Sequence, residues 1–169
     1  MIRELKDYSE FELKQWGSHT EVIVDHIMKK EKISTMIELG AGDFSTPIYA
    51  LKVDQLFSIE TNLEWFSHVQ QKYNLPNVRH IFLDDKDIPQ WLEATFSMIK
   101  VDLVLVDHTH ETVENQRALV SNQLMKLGCK HVVIHDICDS IQTAIDADPN
   151  YNFFVNSKSI NPSLYIQRK

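Results

Sequence analysis

The chain has 169 residues, which leaves room for one domain over residues 1–169, and its 43% hydrophobic and 24% charged content is that of an ordinary folded protein. Its formal net charge of −7 at pH 7 is opposite to that of a generic phosphate-backbone binder, so we expect no nucleic-acid partner. With only two cysteines, no apolar run long enough for a membrane span and charges near the amino terminus, we expect a cytoplasmic protein with no membrane partner.

Residues 1–30 are predicted to form an N-terminal helical extension. Within it, Ser18-His19-Thr20-Glu21 has the pattern of a capping box, so an amphipathic helix should run from there to about Lys30. From residue 35 to about residue 147, short apolar runs alternate with helix-length amphipathic stretches, which is typical of a parallel α/β sheet. The five predicted strands are Thr35 to Leu39, Gln55 to Ile59, Val78 to Leu83, Val101 to Val106 and His131 to His135.

Helices are predicted between these strands. Thr46 is expected to cap a short helix that begins at Pro47, and Thr61-Asn62-Leu63-Glu64 is read as a capping box that opens the next helix. A longer helix, Glu111 to Leu127, should stop at Gly128. Shorter helices are predicted over Pro89 to Ile99 and Ser140 to Ala147.

The pattern changes after residue 150. Tyr151 to Asn156 and Ser163 to Gln167 are strand-like runs separated by a turn around Asn161-Pro162. The turn has no room for a crossover helix, so these two strands must pair antiparallel. A parallel sheet that ends in an antiparallel hairpin differs from ordinary nicotinamide-binding domains, which end in a parallel strand.

A glycine-containing turn follows the first strand. Gly40 and Gly42 let the backbone turn tightly and approach a ligand, whereas the third glycine of a dinucleotide fingerprint is replaced by Ser45. Glu60 ends the second strand, twenty residues after Gly40, where a carboxylate can accept hydrogen bonds from a ribose. The alternative for the glycines is a turn that needs flexible residues and binds no ligand. The alternative for Glu60 is an exposed carboxylate ahead of a helix.

Together, Glu38-Leu39-Gly40-Ala41-Gly42, Glu60, Asp84 and the closing hairpin resemble a class I S-adenosylmethionine-dependent methyltransferase. This resemblance implies a three-layer α/β, Rossmann-like sandwich with a mostly parallel sheet of order 3-2-1-4-5-7-6. It also implies S-adenosylmethionine as cofactor, with Glu38, Gly40 and Gly42 at its methionine end, Glu60 on the ribose and Asp84, or alternatively Asp85, on the adenine amino group.

A second set of motifs is similar to a subgroup of this family that includes macrocin-type and catechol-type O-methyltransferases. Asp107-His108-Thr109-His110 follows the fourth strand, and His135-Asp136 follows the fifth. In several members of the subgroup, the two strand-end aspartates bind a divalent cation. Catechol-type enzymes have a further asparagine ligand after the second aspartate, but here that position is Ile137.

The carboxyl ends of adjacent parallel strands lie at the same edge of a sheet, so Asp107 and Asp136 should come close together. Two carboxylates in this arrangement favour a proton or a cation between them, and their oxygens suit Mg²⁺. Imidazoles from His108, His110 or His135 would shift the preference towards a transition metal. The alternative is that Asp107 caps a helix and Asp136 is a solvated charge.

The sequence therefore predicts a methyltransferase that acts on a small hydroxylated acceptor, with or without a divalent cation. Asp107 and Asp136 would orient the acceptor, and Asp107 is also counted among the cofactor contacts. His110 is the first choice of general base, because an unperturbed histidine titrates near neutrality. The alternative function is a non-catalytic nucleoside-binding or regulatory module. A homodimer is also considered.

Overall fold

A seven-stranded sheet forms the centre of the computed structural model, which describes residues 5–16, 18–108, 116–156 and 161–169. The strand order is β3-β2-β1-β4-β5-β7-β6, and β7 pairs antiparallel with both β5 and β6 while the other pairs are parallel. The predicted order and hairpin are therefore confirmed. The strands are β1 (Thr35–Leu39), β2 (Gln55–Glu60), β3 (Val78–Phe82), β4 (Leu103–Val106), β5 (His131–Ile134), β6 (Tyr151–Asn156) and β7 (Ser163–Arg168).

Strand β4 begins two residues later than predicted, and Asp102 explains the difference. Its Oδ2 accepts hydrogen bonds from the backbone amides of Ser34 at 2.9 Å and Thr35 at 3.1 Å. Asp102 thus fixes the entry to β1 with its side chain, and regular pairing of β4 begins only at Leu103.

Seven α-helices are described: α1 (Glu10–Trp16), α2 (Ser18–Thr20), α3 (Ser45–Ala50), α4 (Leu63–Lys72), α5 (Ile88–Met98), α6 (Gln116–Lys126) and α7 (Asp139–Ala144). A π-helical turn follows α2 over Glu21–Ile27, and 3₁₀ turns cover Leu5–Asp7 and Asp85–Asp87. The first part of the predicted Glu111 to Leu127 helix lies outside the described residues. No helix in the described part of the chain combines the length and apolar character that crossing a membrane requires.

The sheet lies between two helical layers. Successive residues of a strand point to opposite faces, so each face has its own apolar cluster. Ile37 and Val104 belong to the cluster that α5, α6 and α7 cover. Met36 and Leu103 belong to the cluster that α3 and the π-helical turn cover. This is the predicted three-layer arrangement.

Two predicted helix caps are wrong, and in both cases a neighbouring carboxylate is the cause. Helix α3 begins at Ser45, and the Thr46 hydroxyl donates to Oε2 of the buried Glu38 at 2.6 Å instead of capping. Helix α4 is capped by Asn62, whose Oδ1 accepts from the Trp65 amide at 2.9 Å, while the amide of Thr61 donates to Glu60.

The described part of residues 1–30 is largely helical, but Ser18 does not act as the expected cap. The Ser18 hydroxyl donates to the carbonyl of Asn161 at 2.5 Å and lies 2.7 Å from Ser163 Oγ. These contacts join the N-terminal segment to the start of β7. They place the next residue, His19, over the edge of the sheet where β4 and β5 end.

Candidate functional site

A cavity of about 1080 Å³ opens at the carboxyl ends of β1, β2, β4 and β5. Its walls are completed by the N-terminal segment, by α4 and by Arg117 of α6. The predicted site residues that line it are Gly40, Gly42, Glu60, Asp107, His108, His135 and Asp136. The sheet thus brings together most of the candidates that the sequence places at strand ends.

The turn after β1 depends on Gly40. Its φ is +97°, and a Cβ added there would lie 2.4 Å from the backbone oxygen of Asp107. A side chain is therefore excluded both by conformation and by the close approach of the end of β4. Gly42 differs, because a Cβ at that position would meet first the Ser45 hydroxyl, at 2.9 Å.

Helix α4 holds the glycine turn from the other side. Trp65 Nε1 donates to the carbonyl of Ala41 at 2.7 Å, and the Tyr73 hydroxyl donates to the carbonyl of Asp43 at 3.0 Å. Lys72 Nζ lies 2.7 Å from Oδ2 of Asp43. The sequence analysis missed these three side chains, because a helical face gives no signal of a bond to a distant loop.

Glu60 lies at the end of β2 and faces the cavity next to the glycine turn. It is buried, not exposed, and its Oε1 accepts from the backbone amides of Thr61 and Asn62, both at 2.8 Å. Burial raises the pKa of Glu60, and the amides that donate to it oppose that rise. An acceptor already fixed by backbone donors is well placed to hold a ligand hydroxyl.

Glu38 lies below the turn and does not line the cavity. Its Oε2 accepts from Thr46 at 2.6 Å and from Ser58 at 3.0 Å, while its buried Oε1 has no hydrogen-bond partner among the described residues. Burial raises the pKa of Glu38 to about 7. Because Thr46 also accepts from the Gly42 amide at 3.0 Å, Glu38 reaches the turn through Thr46.

Asp84 and Asp85 follow β3 and are not among the residues that line the cavity. Asp84 is exposed and lies 3.5 Å from Lys86 Nζ. Burial, with the neighbouring Asp84, raises the pKa of Asp85. The structure thus brings together the turn and Glu60, and leaves the two predicted adenine contacts outside this cavity.

At the ends of β4 and β5, Asp107 is paired with His135 and Arg117. Asp107 Oδ1 lies 3.2 Å from His135 Nδ1 and 3.3 Å from Arg117 Nη2. Burial alone would raise the pKa of Asp107, but the hydrogen bond with His135 and the nearby charges hold it below its usual value. Asp107 is therefore ionised at neutral pH.

Arg117 is a residue that the sequence analysis missed. It is buried in α6, where its Nε donates to the carbonyl of His108 at 3.0 Å and its Nη1 to that of His135 at 2.5 Å. One guanidinium thus joins the ends of β4 and β5. The sequence gives no local signal for this role, because both carbonyls belong to other parts of the chain.

Asp136 follows β5 and is the one described residue other than glycine with a positive φ, at 52°. Its Oδ1 lies 3.2 Å from His135 Nε2. His135 therefore has one carboxylate near each ring nitrogen. His110, the predicted base, lies outside the described residues.

His19 reaches the same place from the N-terminal segment. Its ring centroid is 4.3 Å from that of His135. Burial, together with the charge of His135, lowers the pKa of His19 to about 3, and burial lowers the pKa of His108 to about 4. Of the residues that the structure describes, only His19, Asp107 and His135 bring three potential metal ligands within 4.8 Å of one another. Asp136, predicted as a ligand, is not in this group.

No family model matches the sequence, and no curated protein matches it. Solved structures do. An O-methyltransferase from Bacillus cereus in complex with S-adenosylhomocysteine (SAH) is 15% identical with a TM-score of 0.66, over 98% of this chain and 84% of that one. Human methyltransferase-like protein 13 in complex with SAH is 13% identical with a TM-score of 0.65, over 90% and 82%. An rRNA methylase from Streptococcus thermophilus is 9% identical with a TM-score of 0.61, over 86% and 94%. At these identities the likeness establishes the fold.

Proposed function

We propose that this chain, which has the class I methyltransferase fold, transfers a methyl group from S-adenosylmethionine to a small hydroxylated acceptor, with a divalent cation assisting. One observation carries the proposal. The glycine turn, Glu60 and the polar cluster around Asp107 line a single cavity. The cavity lies at the carboxyl ends of parallel strands, where ligands bind in open α/β sheets.

The residues on the β1 and β2 side fit a nucleoside with an amino-acid tail. Because Gly40 and Gly42 have no side chains, a ligand in the cavity can approach the backbone of the turn. The buried Glu60 carboxylate can accept a hydrogen bond from a ribose hydroxyl. Two of the similar solved structures contain SAH, which supports assigning this half of the cavity to the cofactor.

The β4 and β5 side is the acceptor half. Ligand pockets usually enclose roughly 300–1,000 Å³, so a cavity of about 1080 Å³ has space for a second small molecule beside the cofactor. The net charge of −7 disfavours a polyanionic acceptor, and this favours a small hydroxylated compound.

When bound, S-adenosylmethionine supplies a methyl group already activated by the sulfonium, and SAH leaves when the acceptor oxygen takes that methyl. The protein has to align the acceptor and accept its hydroxyl proton. Asp107 is ionised and fixed by Arg117, so it can orient a hydroxyl directly or through a cation. Asp136 is available for the same role on the other side of His135. His110 remains the predicted base.

The test is formation of SAH from S-adenosylmethionine with a panel of small catechols, phenols and sugar alcohols. We expect turnover with at least one acceptor. Asp107→Asn and Asp136→Asn should abolish transfer while leaving SAH affinity nearly intact, because the lost charges serve the acceptor side. Asp25→Asn is the matched control, since Asp25 is exposed in the π-helical turn, where it pairs with Lys29.

Full activity in both aspartate variants would remove the acceptor site from the proposal. SAH binding without turnover of any acceptor would instead favour the nucleoside-binding module. Activity that survives EDTA and does not respond to added Mg²⁺ or Mn²⁺ would remove the cation and leave the aspartates as direct hydrogen-bond acceptors.

A further inference from the structure

Three potential metal ligands from distant parts of the chain meet at the acceptor end of the cavity. His19 comes from α2, Asp107 follows β4 and His135 follows β5, and their ligand atoms lie within 4.8 Å of one another. Ligand atoms about 2.1 Å from one ion lie about 3.4 Å apart in a tetrahedral site and at most about 4.2 Å apart in any site, so the most distant pair would have to close by up to about 1.4 Å for tetrahedral binding. Side-chain rotation would have to supply that movement.

His19 is the least satisfied member of the group. Its side chain lines the cavity and is 3% exposed, and neither ring nitrogen has a hydrogen-bond partner among the described residues. A buried imidazole without a partner is costly, because it loses its hydrogen bonds to water and gains none. Neutral imidazole is the form of histidine that binds metals. A ligand in the cavity would supply the partner that the His19 ring nitrogens lack.

Asp107 supplies the negative charge. Arg117 and His135 both contact Oδ1. His135 and Arg117 thus hold the carboxylate in place at the end of β4. A carboxylate with two imidazoles is a mixed nitrogen and oxygen ligand set.

His135 completes the set and has its own support. Nδ1 faces Asp107 at 3.2 Å, and Nε2 lies 3.2 Å from Asp136 Oδ1. In metal sites a ligating histidine commonly donates its second ring nitrogen to a carboxylate, which orients the ring. A rotation of the His135 ring would let Asp136 Oδ1 accept from Nε2, so that the predicted ligand becomes a positioning residue.

We propose that His19, Asp107 and His135 bind one divalent transition-metal ion, with Asp136 orienting His135. Two imidazoles favour Zn²⁺, Mn²⁺, Fe²⁺ or Co²⁺ over Mg²⁺, which prefers oxygen ligands. This differs from the ligand pair that the sequence predicts, Asp107 and Asp136. Any part that the ion plays in methyl transfer, such as polarising the acceptor oxygen, rests on the proposed function, whereas metal binding does not.

The experiment is calorimetric titration of chelator-treated protein with Zn²⁺, and with Co²⁺ followed by its visible absorption, in the absence of S-adenosylmethionine. We expect one ion per chain. His19→Ala and His135→Ala should weaken binding by more than about 100-fold, because a lost ligand costs more than the roughly 10- to 100-fold typical of an orienting partner. Asp136→Asn should fall within that lower range.

His26→Ala is the matched control, since His26 is an exposed histidine on the adjoining π-helical turn and should leave the affinity unchanged. Circular dichroism checks each fold, and His19→Gln replaces His19→Ala if the latter does not fold. X-ray absorption of the Zn²⁺-loaded wild type, which needs no variant, should show imidazole scattering from two histidines.

Absence of stoichiometric binding to the wild type, unchanged binding in the folded His19 variant, an equal loss in His26→Ala or a zinc environment without imidazole would each overturn the site. SAH binding, measured separately, distinguishes the two proposals. Metal binding without SAH binding would contradict the proposed function but not the metal site. SAH binding without metal binding would contradict the metal site but not the proposed function.

Discussion

Glu38 is a fully buried carboxylate on β1. Its burial raises its pKa from 4.5 to about 7. Between these two values the folded protein keeps a proton that the unfolded chain has lost, so its free energy of unfolding falls as the pH rises. The stabilisation is complete below pH 4.5 and is lost as the pH rises through 7. A difference of about 2.5 pH units, at about 1.4 kcal/mol each, corresponds to roughly 3 kcal/mol.

We therefore predict that Glu38→Gln, which stays neutral and keeps an oxygen acceptor for Thr46 and Ser58, gains about 3 kcal/mol relative to the wild type between pH 4.5 and 7.5. Urea unfolding at both pH values measures this. His19 and His108, whose lowered pKa values give the opposite slope, cancel in the comparison. The exposed Glu64→Gln should show no such change. Parallel stability curves for Glu38→Gln and the wild type would contradict the prediction.

The turn between β1 and α3 contains two glycines with different roles. Gly40→Ala should destabilise the fold by about 1–2 kcal/mol from its positive φ alone, and further from the contact at 2.4 Å with the Asp107 backbone. Gly42→Val should leave the fold intact, because the new side chain meets first the rotatable Ser45 hydroxyl, but it should abolish SAH binding. Thermal unfolding and calorimetry measure the two effects.

Gly128→Ala is a useful comparison for Gly40→Ala, because Gly128 also has a positive φ, of 78°, but lies far from the cavity. It should lose stability without losing SAH affinity per folded molecule. If Gly42→Val unfolds the protein, and a stabilised version of it binds SAH normally, then Gly42 is structural only.

Among the elements, apolar runs predicted all seven strands to within two residues. The central strands β1, β4 and β5 are covered on both faces and therefore have to be mostly apolar, whereas β3 and β6 are partly exposed. The capping residues were harder to predict. Thr46 and Thr61 both have side chains that can cap a helix. However, the Thr46 hydroxyl donates to Glu38, and the Thr61 amide donates to Glu60. A local motif cannot show that a carboxylate from a neighbouring strand competes for the same group.

In the molecule as a whole, the sheet order was predictable from the resemblance. The location of Asp107 and Asp136 at the same edge of the sheet follows from that order. The positions of His19 and Arg117 were not. His19 reaches the site because Ser18 binds the start of β7, and Arg117 because it spans the carbonyls of His108 and His135. Both depend on contacts between segments far apart in sequence, which periodicity does not encode.

The proposed function requires the cavity beside the glycine turn to bind S-adenosylmethionine and its product, and calorimetric titration with SAH measures this binding. The wild type should bind one SAH, and Glu60→Ala should lose about 1.5–3 kcal/mol, or roughly 10- to 150-fold in affinity, because a charged acceptor is lost. Glu60→Gln keeps an acceptor for the Thr61 and Asn62 amides and should lose less. No binding of SAH to the folded wild type, or an unchanged affinity in Glu60→Ala, would contradict the account.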